Sequence, residues 1–230
     1  MTPQRFERLQ QILRQRQPDL TVLMDNVHKP HNFSAILRTC DATGVFEAHA
    51  VHDRSRLKLR RGIASGSKKW VKLNTHQDTD AAINTLKVGQ FQIIVADVQP
   101  GAMDFRQVDY CRPTALVLGA EKTGPSEQVL ATANHIVSIP MLGMVDSLNV
   151  SVAAALILFE AQRQRIEAGL YKTSRLPEEV YQQTLFEWTQ PTLARFYRRK
   201  KIPYPALQDD GQIIEEAIHL QARTGKAGPV

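Results

Sequence analysis

The chain has 230 residues, enough for one substantial core with terminal elaborations or for a large and a small domain, without disulfide staples. Lysine and arginine number 29 against 23 acidic residues, a net charge of +6 that leans mildly toward polyanionic partners. Cys40 and Cys111 lie in unrelated segments without CxxC or Cys/His spacing, which argues against a disulfide framework or a cysteine zinc site and fits a reducing cytoplasm. No apolar run reaches membrane-spanning length, and residues 1–20 lack the apolar stretch of a signal peptide, so a soluble, non-membrane protein is expected.

Residues 4–16 place Phe6, Leu9, Ile12 and Leu13 on one helical stripe, with Arg5, Arg8, Arg14 and Arg16 on the other faces. From residue 20 to about 166, strand-like and helix-like stretches alternate. "LTVLMDNV" is followed by "NFSAILRTCDATG", with Gly44 as the helix stop, and then by "EAHAV". Next come "WVKLNTH", "TDAAINTLK", "FQIIVAD", "TALVLGA", "PSEQVLATA" and "HIVSIP", before a long apolar helix from about 149 to 167. Short apolar strands separated by helices predict an α/β fold, a mostly parallel sheet covered on both faces. Ligands of such sheets bind beyond the carboxyl ends of the strands, where Ala96-Asp97, Gly119 and Gly143 fall.

After Gly169 the strand-like runs stop. "PEEVYQQTLFEW", "QPTLARFYRRKK" and "DGQIIEEAIHLQA" read as helices, and "RTGKAGPV" as a frayed tail. The expected organisation is a basic helix over 1–19, an α/β domain over 20–168 and a helical extension over 169–230.

No GxGxxG fingerprint and no GxxxxGK[ST] loop are present, which argues against ordinary dinucleotide or P-loop binding. "HKPH" offers His28 and His31, but Pro30 interrupts the helix that would align them and no companion ligands are evident, so no metal site is expected. Two segments carry a polyanion signature. Arginines dominate residues 1–16, and "ARFYRRKKIPYP" combines Arg195, Arg198, Arg199, Lys200 and Lys201 with three aromatics and no acid. Cations neutralise phosphates while planar groups stack on bases, a pairing that suits RNA; a solvated helix face is the plainer alternative.

Three further stretches each admit an ordinary explanation alone. Asn32 could cap the helix of "NFSAILRT" while Arg38 points to solvent, Glu121 of "LVLGAEKTG" could be a turn residue, and Ser147 or Asn149 of "IPMLGMVDSLNVSVAAALILFE" could cap the long helix. In this order, at successive strand ends, they resemble the three motifs of the ribose-methylating branch of the SPOUT methyltransferases. The resemblance runs from "TVLMDNVHKPHN" through the arginines after the long helix. The terminal basic helix and the C-terminal extension are similar to those of members acting on guanosine 18 of tRNA.

That resemblance implies S-adenosylmethionine as methyl donor, a deep trefoil knot in the C-terminal part of the α/β domain, and a homodimer with active sites at the subunit interface. The donor pocket would be formed by Ala96, Asp97, Leu118, Gly119, Ala120, Ile139, Met141, Ser147, Leu148, Asn149 and Val150, with Gly119 and Gly143 small enough for close backbone approach. Arg38 would be the central catalytic group, aided by Asn32, Glu121, Ser147 and Asn149. The family role of this arginine is proton acceptance; its guanidinium, almost wholly protonated, favours at least stabilisation of the attacking oxygen. Arg8, Arg16, His31, Arg163, Arg165, Arg175, Arg195, Arg198, Arg199 and Lys200 would meet the RNA. The expected polyanion is tRNA, not DNA: only about 19 residues precede the first strand, whereas relatives acting on ribosomal RNA often carry a separate N-terminal domain. Another tRNA or ribosomal RNA ribose is the close alternative, and a noncatalytic RNA-binding protein the distant one.

Overall fold

The computed structural model describes residues 1–51 and 69–214. The expected helix over "DGQIIEEAIHLQA" and the "RTGKAGPV" tail lie largely or wholly outside the described residues. The chain divides into two compact units, residues 16–173 and residues 1–15 with 174–230.

The larger unit is built on seven strands: β1 (Leu20–Asp25), β2 (Glu47–Val51), β3 (Lys72–His76), β4 (Gln92–Ala96), β5 (Met103–Asp104), β6 (Thr114–Leu118) and β7 (His135–Ser138). They form one sheet in the order β3-β2-β1-β6-β4-β7-β5, and each of its pairings is parallel. β1 and β6 are buried at every position, as the continuous apolar runs of a sheet covered on both faces demand. Between the strands lie α2 (Pro30–Ala42), α3 (Thr79–Val88) and α4 (Glu127–Leu130), and α5 (Val150–Glu167) follows the last strand.

One core layer packs Phe33, Ile36 and Leu37 of α2 and Ala154, Ile157, Leu158 and Ala161 of α5 against Val22, Met24 and Leu116. The other sets Ala82, Ile83 and Leu86 of α3 against Leu23, Val95 and Val117. α2 ends as its sequence predicts: Gly44 takes φ +80°, a left-handed conformation that costs glycine little. The chain departs from expectation at β5, too short to carry a period, and at α4, a single turn. Cys40 and Cys111 are both free, and burial pushes the Cys40 thiol up to about 12.

In the smaller unit, α1 (Pro3–Arg14) buries Phe6, Leu9 and Leu13, with Thr2 capping its N-terminus. α6 (Glu178–Thr189) and α7 (Pro191–Lys200) enclose a second core of Phe186, Ala194 and Tyr197, against which Tyr204 stacks on Phe186 with centroids 4.6 Å apart.

Two arginines expected at an RNA surface are instead interior. Arg165, fully buried in the last turn of α5, pairs with the Asp19 carboxylate at 2.7 Å and donates to Gln17 Oε1 and to the carbonyls of Asp19, Tyr110 and Arg112. Arg16, equally buried, pairs with Asp41 and donates to the carbonyls of Asp41 and Val45. A guanidinium leaves water at tolerable cost when its donors are met elsewhere; here the donors of Arg165 and the two terminal nitrogens of Arg16 meet carboxylate, carbonyl and amide oxygens distant in sequence. Both residues therefore brace the α/β unit. Replacing Arg165 by Met strands the Asp19 carboxylate and several carbonyls, so urea unfolding should show a loss of about 3–5 kcal/mol; a loss below about 1 kcal/mol would contradict the bracing role.

Candidate active site

Three strand ends finish level. Leu118 pairs with both Met24 and Ala96, and Ala96 pairs with Val137, so the chain leaves β6, β4 and β7 side by side at one edge of the sheet. The loops that follow enclose a cavity of about 500 Å³, within the ordinary range for small-molecule sites. Every residue expected to contact the methyl donor lines it: Ala96, Asp97, Leu118, Gly119, Ala120, Ile139, Met141, Ser147, Leu148, Asn149 and Val150. Lys29, Glu121, Gly124 and Asp146 join them, together with Val137 and Ile157 from the core beneath.

The loop after β6 folds back on itself. Ala120 and Gly124 exchange backbone hydrogen bonds of 3.1 and 2.9 Å, which closes a tight turn around Glu121 to Thr123. A Cβ at Gly119 would lie 2.2 Å from the Pro125 nitrogen and 2.3 Å from the Gly124 carbonyl carbon. Gly119 is thus required by the loop's own backbone. Gly143 differs from expectation, because a Cβ there meets nothing within 4 Å.

A residue that sequence reasoning passed over holds this loop from below. Asp25, the last residue of β1 and 1% exposed, accepts hydrogen bonds from the Ser126 amide at 2.8 Å, Thr79 Oγ1 at 3.2 Å and Asn26 Nδ2 at 3.0 Å. An acid closing an apolar strand is the available signal, but two of its three partners lie 54 and 101 residues away.

The three motif segments meet through side chains. Asn32 is buried, and its Nδ2 donates to Glu121 Oε1 at 2.5 Å while its Oδ1 accepts from Asn149 Nδ2 at 3.2 Å. Asn149 Oδ1 in turn accepts from the amide of Ser151 at 2.9 Å and from its hydroxyl at 2.6 Å, capping α5. Asn32 caps nothing: α2 begins with Lys29 at the capping position and Pro30 in the first turn, which leaves the Asn32 amide free to span the other two motifs. Of the two candidates for the α5 cap, Asn149 performs it, and Ser147 stands exposed at the cavity rim.

Arg38 is apart from this cluster. Six residues along α2, or about 120° around the helix from Asn32, it is exposed and does not line the cavity. His31, Arg8, Arg195, Arg198, Arg199 and Lys200 are exposed as well, and Arg175 is half-buried. Arg163 reaches the surface with its charge already opposed by Glu160 at 2.8 Å and Glu167 at 2.7 Å, so it is less available to phosphate than its position implied. Among the described residues no cluster of His, Cys, Asp and Glu could hold a metal ion, and no helix is long and apolar enough to cross a membrane.

A parallel sheet with a loop-built cavity at its carboxyl edge and three interlocked polar motifs defines a class of small-molecule-binding α/β protein. Comparison with known sequences narrows this: the SpoU rRNA Methylase family profile matches residues 19–159, and the C-terminal profile of SpoU rRNA methylases matches residues 163–216. The chain belongs to the SpoU methylase family. It is 49% identical over 219 residues to an Escherichia coli (strain K12) protein named tRNA (guanosine(18)-2'-O)-methyltransferase, covering 94% of this chain and 96% of the relative. A Thermus thermophilus protein of the same name is 56% identical over 187 residues, covering 81% and 96%. Among solved structures, an A. aeolicus TrmH/SpoU tRNA modifying enzyme superposes with a TM-score of 0.74 at 44% identity, covering 80% of this chain and 94% of that one. The Streptomyces viridochromogenes methyltransferase AviRb, solved with AdoMet, gives 0.59 at 26% identity, covering 66% and 62%.

The two glycines make a paired test. Gly119→Ala should force the loop after β6 open, weakening binding of S-adenosylmethionine by at least tenfold in calorimetry and lowering the melting temperature. Gly143→Ala should leave stability within about 0.5 kcal/mol of the parent, as at other unconstrained surface positions. Equal effects at both positions would refute the loop geometry.

Proposed function

We propose that the chain transfers a methyl group from S-adenosylmethionine to the 2'-hydroxyl of guanosine 18 in tRNA. The observation that carries this reading is the Glu121–Asn32–Asn149 bridge, which fastens the three motif segments together at the edge of a preformed cavity. The cavity residues fit the donor. Leu118, Ile139, Met141 and Leu148 offer an apolar slot between three strand ends, Asp97, Glu121 and Asp146 supply negative charge suited to a sulfonium or amino group, and Lys29 supplies positive charge suited to a carboxylate. Bound there, S-adenosylmethionine would supply an electrophilic methyl group.

The chain's own residues then have to bring in a sugar hydroxyl, a poor nucleophile, and stabilise the charge that develops on its oxygen. Asn32 and Asn149 fix the cavity rim, Glu121 orients the guanosine or its loop, and Ser147 lies at the rim where the ribose enters. Arg38 supplies the positive charge. Because it is exposed and turned from its own cavity, we assign it to the cavity of a partner subunit.

α5 supports that assembly. One of its faces is buried through Ala154, Ile157, Leu158 and Ala161, yet Val152, Leu156, Phe159 and Ile166 are 46%, 43%, 50% and 55% exposed. A helix apolar on both sides belongs between two layers, and a second copy supplies the missing one. The family's deep trefoil knot is part of the same reading, favoured by the long connection of residues 139–149 and by the seating of α5 on α2, where Gln162 Nε2 donates to the Ala42 carbonyl at 3.4 Å. In this scheme residues 20–168 carry the reaction in the cytoplasm. The segments 1–19 and 169–230, through Arg8, Arg175, Arg195, Arg198, Arg199 and Lys200, join His31 in holding the RNA.

The reading is tested by incubating the protein with labelled donor and unmodified tRNA transcripts and mapping the label by nucleotide. Label should appear on the ribose of guanosine 18 and vanish when that nucleotide is 2'-deoxy; label confined to another nucleotide or to ribosomal RNA would overturn the assignment. The shared site has its own test. Arg38→Ala and Asn149→Ala proteins should each be nearly inactive, and mixing them under conditions of subunit exchange should restore activity, since one site of each mixed dimer is intact. No recovery on mixing would place Arg38 in its own subunit's site.

A further inference from the structure

α7 turns Ala194 and Tyr197 into the core of the smaller unit. At about 100° per residue, its opposite face carries Thr192, Arg195, Phe196 and Arg199. Phe196 is 44% exposed and Leu193 is 40% exposed. Helical spacing surrounds Phe196 with Thr192 and Leu193 one turn earlier and with Arg199 and Lys200 one turn later. Its ring stands at 86° to that of the buried Tyr197, centroids 5.7 Å apart, which restrains its tilt. Beside it, Thr192, Arg195, Arg198 and Arg199 line a depression of about 590 Å³.

The charge around this ring is lopsided. Residues 190–208 contain Arg195, Arg198, Arg199, Lys200 and Lys201 and no acid. Among the described residues, the ion pair formed by this set is Arg198 with Glu187, a loose 3.8 Å contact. A second copy of the chain would bring the same cations against these and be repelled, and an apolar peptide would leave them unanswered. A polyanion whose subunits also present planar π faces answers both the ring and the charge.

We propose that Phe196 is a stacking platform for an unpaired base of tRNA, with Arg195 and Arg199 holding the adjacent phosphates. This rests on the tRNA-methylating reading and specifies what the helical unit recognises: a splayed single-stranded nucleotide, since the bases of a duplex are closed to an aromatic side chain. Phe196 thereby contributes affinity that is insensitive to salt, and the arginines contribute the part that salt screens.

The experiment measures equilibrium binding of an unmodified tRNA transcript over a range of NaCl concentrations, with steady-state methylation in parallel, for the wild type, Phe196→Leu, Phe196→Trp and an Arg195→Gln/Arg199→Gln double variant. Phe196→Leu keeps apolar bulk but removes the π face. It should weaken binding by roughly 5- to 100-fold, leave the salt slope unchanged, and raise KM for tRNA far more than it lowers kcat. Phe196→Trp should bind at least as well as the wild type, and the arginine variant should flatten the slope by roughly 0.7 for each phosphate it no longer neutralises. Wild-type affinity in Phe196→Leu, or equal losses in the Leu and Trp variants, would overturn the platform. A wild-type protein that transfers no methyl yet shows the Phe196 effect on binding would support the platform and overturn the enzymatic reading.

Discussion

The side-chain amide of Asn32 is the joint on which the site depends. Buried at the start of α2, it has an amino group and a carbonyl oxygen to place, and it places them on different segments: the NH2 on Glu121 of the loop after β6 and the oxygen on Asn149 at the head of α5. A buried amide with unmet hydrogen bonds is costly, so the two segments are held in the one arrangement that satisfies it. Asn149 passes the constraint onward, because the oxygen of the same side chain caps α5 through Ser151. The position of the longest helix in the α/β unit is thereby tied to the geometry of the cavity rim.

The sheet makes that joint possible. Parallel strands in level register deliver three chain exits side by side, and those of β6 and β4 are stiffened by polar contacts. Asp25 pins the loop after β6 through the Ser126 amide, the Ala120–Gly124 pair closes that loop, and the Asp97 amide continues the pairing to the Val137 carbonyl. At the other end of α5, the buried Arg165–Asp19 pair fixes the helix against the start of β1. α5 is therefore held at both ends by polar contacts and along one side by apolar packing, leaving a fixed apolar face toward solvent. On the proposed reading that face is where a second copy docks and where the Arg38 of each subunit reaches the other's cavity.

Much of this was legible in the sequence because it depends on local pattern. Buried parallel strands announce themselves as apolar runs such as "TALVLG", helix stops as Gly44, and the three motif segments as polar residues held at strand ends. Topology alone pointed to Ala96-Asp97 and Gly119 at the converging strand ends, and the rest of the cavity lining came from the family resemblance. What escaped was set by partners remote in the chain. Arg16 and Arg165 look like surface cations until Asp41 and Asp19 are placed beside them, and nothing marks Asp25 as a loop anchor until Ser126 arrives over it. The two residues of β5 have no period to detect. The roles of Asn32 and Asn149 were half visible: both are good caps by type, but α2 starts at Pro30, two residues before Asn32, so Asn32 lies inside its helix while Asn149 caps α5.

Amide hydrogen exchange on the Asn32→Ala protein tests the joint most directly. If Asn32 couples the two segments, its removal should raise exchange together in residues 119–126 and in the first turn of α5, while the sheet strands keep their protection. Faster exchange confined to the start of α2, with both of the other segments unchanged, would contradict the account.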